Sequence, residues 1–384
     1  MSTHSPAGSA SAMSAIPPAA RPGMALAEID TPSLILDLSA FEDNLRAMQA
    51  LAERHDVALR PHAKAHRCPE ISQRQIALGA QGICCQKVTE AAVFIDAGIT
   101  DIHISNEIVG TAKLDLLARL AGQASLTVCV DNLSALQDLS DALVRQETTL
   151  GVVVEIDLGQ KRCGVQKPAE AVALAQAAEA APNVTFRGIQ AYHGGIQHKR
   201  SLEQRRQSCE AAARRVGRFM AALDKAGLTC EVVTGGGTGT AAFDAASGVY
   251  TEIQPGSYAF MDGDYGSLEW GESLVLRHSL FVQGTVMSTP TPNRAVVDIG
   301  LKSTTAESGL PRPIDLPDVR SVALHDEHLM LEAQTSQHRP ALGSVLRVVP
   351  GHCDPTFNLH DELVTVRQGK VEALWPIRAR GYSR

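Results

Sequence analysis

Between residues 57 and 254 one pattern recurs: a short apolar, β-branched run, then a longer stretch with helical period. The runs are Val57–Arg60, Gly82–Cys85, Asp101–Ser105, Leu126–Val130, Val152–Asp157, Thr185–Tyr192, Glu231–Thr234 and Thr251–Gln254. Phe41–Arg54, Glu70–Leu78, Thr89–Ala97, Leu133–Arg145, Ala169–Ala180 and Leu202–Ala226 carry the helical period. The alanine richness of Ala169–Ala180 suits a helix packed closely on a sheet. Alternation of this kind predicts parallel strands with crossover helices, hence an α/β protein. Eight such strands in roughly 200 residues fit a (β/α)8 barrel better than the alternative, an open doubly wound sheet.

Beyond Ser273 the texture changes. Val275–Gly284, Arg294–Asp298, Val322–His325, Leu346–Val349, Leu363–Arg367 and Val371–Trp375 read as strands joined by Gly, Pro and Asp turns, with no convincing helix between them. They predict an antiparallel β domain over 274–384, after a barrel over 24–273. The early run Ser33–Leu38 can join either unit. Residues 1–23 are mostly Ser, Ala, Pro and Gly and read as a mobile tail, with order beginning near Ile29-Asp30-Thr31-Pro32.

Charge and composition exclude several functions. Lys and Arg total 35 against 42 Asp and Glu, a net charge of −7, which disfavours non-specific nucleic-acid binding. No window offers the eighteen or so apolar residues of a membrane helix. The first Lys or Arg is Arg21, so the charged start of a signal peptide is lacking. Eight cysteines at irregular spacing do not form a disulfide framework. A soluble protein of the reducing cytoplasm is expected.

A βα barrel carries its chemistry where strands end. The first run ends in Arg60-Pro61-His62-Ala63-Lys64-Ala65-His66-Arg67-Cys68. Lys64 there would face the barrel mouth, where a lysine can form a Schiff base with a carbonyl, as pyridoxal phosphate chemistry requires. His62 and His66 are four apart but follow a strand, which weakens a helical metal pair. The second run ends in Cys84-Cys85-Gln86-Lys87, with Gln86 at the mouth. The fifth ends in Glu155-Ile156-Asp157-Leu158-Gly159-Gln160-Lys161-Arg162-Cys163-Gly164; alternation points Glu155 and Asp157 to one side, and glycines bracket Arg162. The sixth ends in Gln190-Ala191-Tyr192-His193-Gly194-Gly195-Ile196-Gln197-His198, a tyrosine and two histidines suited to acid–base work.

The seventh run ends in Thr234-Gly235-Gly236-Gly237-Thr238-Gly239-Thr240. Open backbone N–H groups and threonine hydroxyls there would make a phosphate nest. Loops after strands 7 and 8 are the customary phosphate site of such barrels, and Gln254-Pro255-Gly256-Ser257-Tyr258 could complete it. In the β domain, Pro350-Gly351-His352-Cys353-Asp354-Pro355-Thr356-Phe357-Asn358, if extended, would project His352 and Asp354 to one face and Cys353 to the other. One imidazole and one carboxylate can hold a divalent cation, although such a pair is common by chance.

Taken in order, these motifs resemble the D-threonine aldolase family, within the group that also holds D-serine dehydratases and 3-hydroxy-D-aspartate aldolases. The resemblance runs from about Thr31 to Arg384 and includes Gly256-Ser257-Tyr258-Ala259-Phe260-Met261-Asp262. It implies a fold-type III pyridoxal 5'-phosphate enzyme, with an alanine-racemase-type barrel and a β domain. Lys64 would be the Schiff-base lysine; Gln86, Arg162 and Tyr192 would lie near the cofactor ring. Thr238, Gly239, Gly256, Ser257 and Tyr258 would bind the cofactor at its phosphate side. His352 and Asp354 would be the metal ligands, favouring Mn²⁺ or Mg²⁺ over Zn²⁺, since dehydratase relatives carry a softer His-x-Cys pair. The implied reaction is retro-aldol cleavage of a β-hydroxy-D-amino acid to glycine and an aldehyde, with His198 or His193 taking the hydroxyl proton. A homodimer is implied too. The alternatives are a D-serine or 3-hydroxyaspartate dehydratase, a non-enzymatic pyridoxal phosphate carrier, and a metal-dependent hydrolase using His62, His66 and His352.

Overall fold

The computed structural model describes residues 17–384. A first strand, β1 (Ser33–Asp37), precedes eight strands that alternate with helices. These are β2 (Ala58–Leu59), β3 (Ile83–Cys85), β4 (Asp101–Glu107), β5 (Ser125–Val130), β6 (Leu150–Glu155), β7 (Val184–Ala191), β8 (Val232–Gly235) and β9 (Glu252–Ile253). All their pairings are parallel, in the order β2-β9-β8-β7-β6-β5-β4-β3. The two ends of this sheet meet: His62 bridges Cys84, and the Cys84 N–H donates to the Pro61 carbonyl at 2.8 Å. The sheet is therefore a curled barrel, not an open doubly wound layer.

The helices begin where their caps allow. Asp37 accepts from the N–H groups of Ser39 and Ala40 and so starts the helix Leu38–Arg54, which buries Phe41, Leu45, Met48 and Leu51. Asn132 caps Leu133–Gln146 in the same way, while Pro69 and Pro168 open theirs at a position needing no N–H. A helix at Thr111–Ala121 fills the connection between β4 and β5.

The second sheet holds β10 (Leu280–Thr291), β11 (Arg294–Val297), β12 (Arg312–Pro313), β13 (Val319–Leu324), β14 (Leu329–Ala333), β15 (Val345–Val349), β16 (Glu362–Arg367) and β17 (Lys370–Pro376). β1 belongs here, antiparallel to β10 and parallel to β16. The sheet is thus mixed rather than purely antiparallel, because β1 arrives from the other end of the chain. Expected strand Val275–Gly284 begins only at Leu280. The residues before it bind the barrel instead: the Arg277 N–H donates to Asn44, and the Ser279 N–H to the Phe260 carbonyl.

Two other expectations need correction. Residues 1–16 of the expected tail lie outside the described residues. Residues 17–23, however, already touch the fold, with Ala20 buried and the Gly23 N–H donating to Val371. The segment after β15 is not extended: Cys353–Phe357 forms one helical turn with His352 at its cap. Among the described residues no helix is long and apolar enough to cross a membrane.

Candidate active site

At the C-terminal mouth of the barrel a cavity of about 170 Å³ is lined by His62, Lys64, Gln86, Ser105, Arg162, Gln190, Tyr192, Gly237, Thr238, Gln254, Gly256, Ser257 and Tyr265. Lys64 sits in a single 3₁₀ turn, Ala63–Ala65, whose two alanines are fully buried and fix its place. Its Nζ donates to Asp354 Oδ2 at 2.5 Å, joining barrel to β domain. Burial alone would push the Asp354 carboxyl up, but the Lys64 ammonium and His352 outweigh it and hold it well below the ordinary range.

Asp354 faces three further groups. His352 Nε2 stands 3.6 Å from Oδ1, the Ser257 hydroxyl 3.4 Å and the Cys353 thiol 3.3 Å. The helical turn thus keeps His352 and Asp354 together. It also brings Cys353 beside the carboxylate, rather than onto the opposite face. His352 Nδ1 is buried without a partner.

His62 forms part of the wall. Its Nε2 accepts from Gln86 Nε2 at 3.0 Å and meets the Ser105 hydroxyl at 3.0 Å, which leaves Nδ1 as an unpartnered buried donor. Burial holds its imidazole neutral, with its pKa well below the ordinary histidine value. His66 is fully buried among Phe94, Phe260 and Phe357, and burial pushes it down to about 3. It is a core residue, and the hydrolase reading loses one of its three histidines.

Arg162 rides on the loop after β6. The Asp157 carboxylate accepts from the N–H groups of Gly159 and Lys161, and a Cβ at Gly164 would lie 2.7 Å from the Asp157 nitrogen. That compact turn presents the Arg162 guanidinium to Tyr192, 5.3 Å from the ring centre, with Glu155 at 3.5 Å behind it.

The glycine loop contributes less than its sequence suggested. Gly237 and Thr238 line the cavity together with Gly256 and Ser257. Gly239 does not: a Cβ there would lie 2.3 Å from the Gln197 carbonyl oxygen, so close backbone packing requires this glycine. Tyr258 also points elsewhere, buried with its hydroxyl hydrogen-bonded to Gln75; only its N–H serves the loop, donating to Thr238 Oγ1 at 3.0 Å.

Neither His198 nor His193 is among the lining residues. His198 Nδ1 forms a short hydrogen bond to Asp264, and its ring lies 5.6 Å from that of Tyr265, which does line the cavity. His193 has a buried Nδ1 without a partner, and burial lowers its pKa.

Sequence reading missed Ser105, Gln254 and Tyr265 as individual wall residues, and Asp264 as the partner of His198. Ser105 and Gln254 stood at the ends of recognised strands and were legible by position. Tyr265 and Asp264 lie in an irregular segment after β9, where no period marks which side chains turn inward.

The residues fit two groups. A lysine, hydroxyl and glycine backbone groups, and Arg162 on one cavity wall form a donor set suited to a phosphorylated aldehyde. An imidazole nitrogen, His352 Nε2, facing the Asp354 carboxylate at 3.6 Å suits a hard or borderline divalent ion.

Comparison with known proteins agrees with this geometry. The family model described as "Alanine racemase, N-terminal domain" matches residues 36–264, and "Putative serine dehydratase domain" matches 279–366. A D-threonine aldolase from Arthrobacter sp is 58% identical over 370 residues, covering 96% of this chain and 98% of that protein. A 3-hydroxy-D-aspartate aldolase from Paracoccus denitrificans is 46% identical, covering 94% and 95%. The crystal structure of D-threonine aldolase from Filomicrobium marinum superposes with a TM-score of 0.94 at 47% identity, covering 96% of this chain and all of that one.

Proposed function

The chain belongs to the family of the D-threonine and 3-hydroxy-D-aspartate aldolases, and on that premise we propose that it cleaves β-hydroxy-D-amino acids of the D-threonine type to glycine and an aldehyde. It is a fold-type III pyridoxal phosphate enzyme and an aldehyde-lyase. The observation that carries the reading is Lys64, held by Asp354 of the β domain in a polar cavity that is also lined by Gly237, Thr238, Gly256 and Ser257.

Pyridoxal phosphate, when bound, supplies the electron sink for the pair left by the broken Cα–Cβ bond. Lys64 would hold it covalently, with Gln86, Arg162 and Tyr192 beside its ring. Thr238, Gly256 and Ser257, joined by Gly237 in place of Gly239, would receive the phosphate. His352 and Asp354 would hold a divalent ion, Mn²⁺ or Mg²⁺ before Zn²⁺, that acidifies the substrate's β-hydroxyl.

His198 is favoured over His193 as the base. Asp264 accepts the His198 Nδ1 proton and so leaves Nε2 free to take one. The Asp264 carboxyl is held down first by that hydrogen bond, and so stays ionised behind the ring. Tyr265, which lines the cavity and whose ring lies 5.6 Å from that of His198, links this histidine to the cavity wall.

A homodimer in the cytoplasm completes the reading. Eight free thiols suit a reducing compartment, and light scattering would give the assembly. The deciding experiment is product analysis with D-threonine, pyridoxal phosphate and Mn²⁺. Glycine and acetaldehyde in equal amounts are expected; ammonia without glycine would overturn the reading in favour of a dehydratase.

A further inference from the structure

Glu155 closes β6 at the upper mouth, and nothing in the proposed chemistry uses it. Its side chain is only 4% exposed. Oε1 stands 3.5 Å from the Arg162 guanidinium, and Oε2 has no partner. The carboxyl of Glu107, at the end of β4, lies against it. Glu107 in turn clusters with Asp131 and Cys163, their polar atoms all within 4.8 Å of one another. Cys129 of β5 is the remaining titratable neighbour of Glu155.

The cluster already contains a cation. Arg162 is the positive group that faces Glu155, and the same guanidinium lies over Tyr192 on the cavity wall. Its side chain is 45% exposed and sits on a loop, whereas Glu155 is fixed on a strand. A long arginine without an anchor would spread over many rotamers. We propose that Glu155 is the positioning residue that fixes Arg162 against the cofactor side of the cavity, with Glu107 as the second carboxyl that tunes its hold. This rests on the reading of Arg162 as a residue beside the cofactor.

Burial, then the Glu107 carboxylate, push the Glu155 carboxyl up to about 7, with Arg162 opposing. The grip on Arg162 therefore tightens as Glu155 loses its proton.

The test follows cofactor loss from the purified holoenzyme on dilution, together with its visible absorbance between about pH 6 and 8. Glu155→Gln and Arg162→Met should each speed cofactor loss by about ten-fold or more, and the double variant should be no faster than Arg162→Met alone. Glu155→Asp should fall between wild type and Glu155→Gln. Glu107→Gln removes the like charge, so the absorbance transition should move to lower pH. Thermal unfolding of each variant separates this from general damage.

If Arg162→Met releases the cofactor while Glu155→Gln retains it at the wild-type rate, the inference falls and the reading of Arg162 stands. If both retain it, both fall. Effects that multiply in the double variant would show that Glu155 acts independently of Arg162, and would also overturn the inference. So would loss of one equivalent of bound metal in Cys163→Ser, since the cluster would then be an ion site.

Discussion

The two mouths of the barrel handle polar groups in opposite ways. At the N-terminal mouth a cavity of about 370 Å³ is the larger of the two, and it is lined by Arg60, Asp101, His103, Ser125, Thr127 and Glu252 among others. Its charges are closed in pairs: Arg60 binds Glu252 and Asp101, each at 2.7 Å. No residue of that lining has a buried polar atom without a partner. At the C-terminal mouth such atoms crowd together, on His62, Glu107, Glu155, His193 and His352. Size therefore does not mark the reactive end, and the two mouths differ instead in how completely their buried side chains are paired. Buried groups lacking partners are costly, and a fold retains them where a ligand completes them.

Lys64 offers the strongest way to break that comparison. Lys64→Ala should lower turnover by about 10³-fold or more. Borohydride reduction and peptide mapping of the wild type should place the pyridoxyl group on the Lys64 peptide; labelling of Lys87 or Lys302 would move the reactive site away from this mouth. Next comes the metal. A chelator should cost about 10²-fold or more in activity while the cofactor absorbance persists. Added Mn²⁺ should restore the wild type but not His352→Ala, and full activity in metal-free enzyme would remove the ion from the mechanism.

The lower mouth should respond in stability rather than turnover. Arg60→Met strands the buried Glu252 carboxylate and should cost about 3–5 kcal/mol in denaturant unfolding, with turnover per folded molecule at the wild-type level. A fall in turnover that matches the fall in stability would contradict this division. The smallest effect has the opposite sign. Burial pushes Asp244, beneath the glycine loop, up to about 7 from its ordinary value of 3.8. Its ionisation therefore opposes folding, and stability falls as pH rises from about 4 through about 7. Asp244→Asn should gain on the order of 1 kcal/mol at pH 8 and little below pH 4. An equal gain at both pH values would remove the carboxyl as its cause.

The barrel was legible because its strands are buried on both faces and read as continuous Val, Ile and Leu runs, bounded by capped helices. Val152–Asp157 and Leu150–Glu155 differ only at their ends. Lys64, Gln86, Arg162 and Tyr192 stood out because each follows the C-terminal end of a strand, Arg162 at the greatest remove. Gly239 and Tyr258 lie off the cavity wall for one reason. A glycine or tyrosine inside a motif can serve packing, and only Gln197 and Gln75, remote in sequence, decide which way each faces. The one-turn helix Cys353–Phe357 carried no period long enough to read. The fate of β1 depended on a partner more than 240 residues away, which no local pattern encodes.

That last pairing bears on how the protein is made. β1 hydrogen-bonds to Leu280–Gln283 and to Val364–Val366, both from the far end of the chain. On a ribosome adding about 5–20 residues per second, the Ser33–Asp37 segment would wait roughly 10–50 s for its first neighbour. Throughout that interval its Leu34-Ile35-Leu36 core is an uncovered sheet edge of the kind that recruits other chains. Yield in a cell should therefore depend on translation speed and on chaperones that shield nascent hydrophobic segments, even when the finished enzyme is stable.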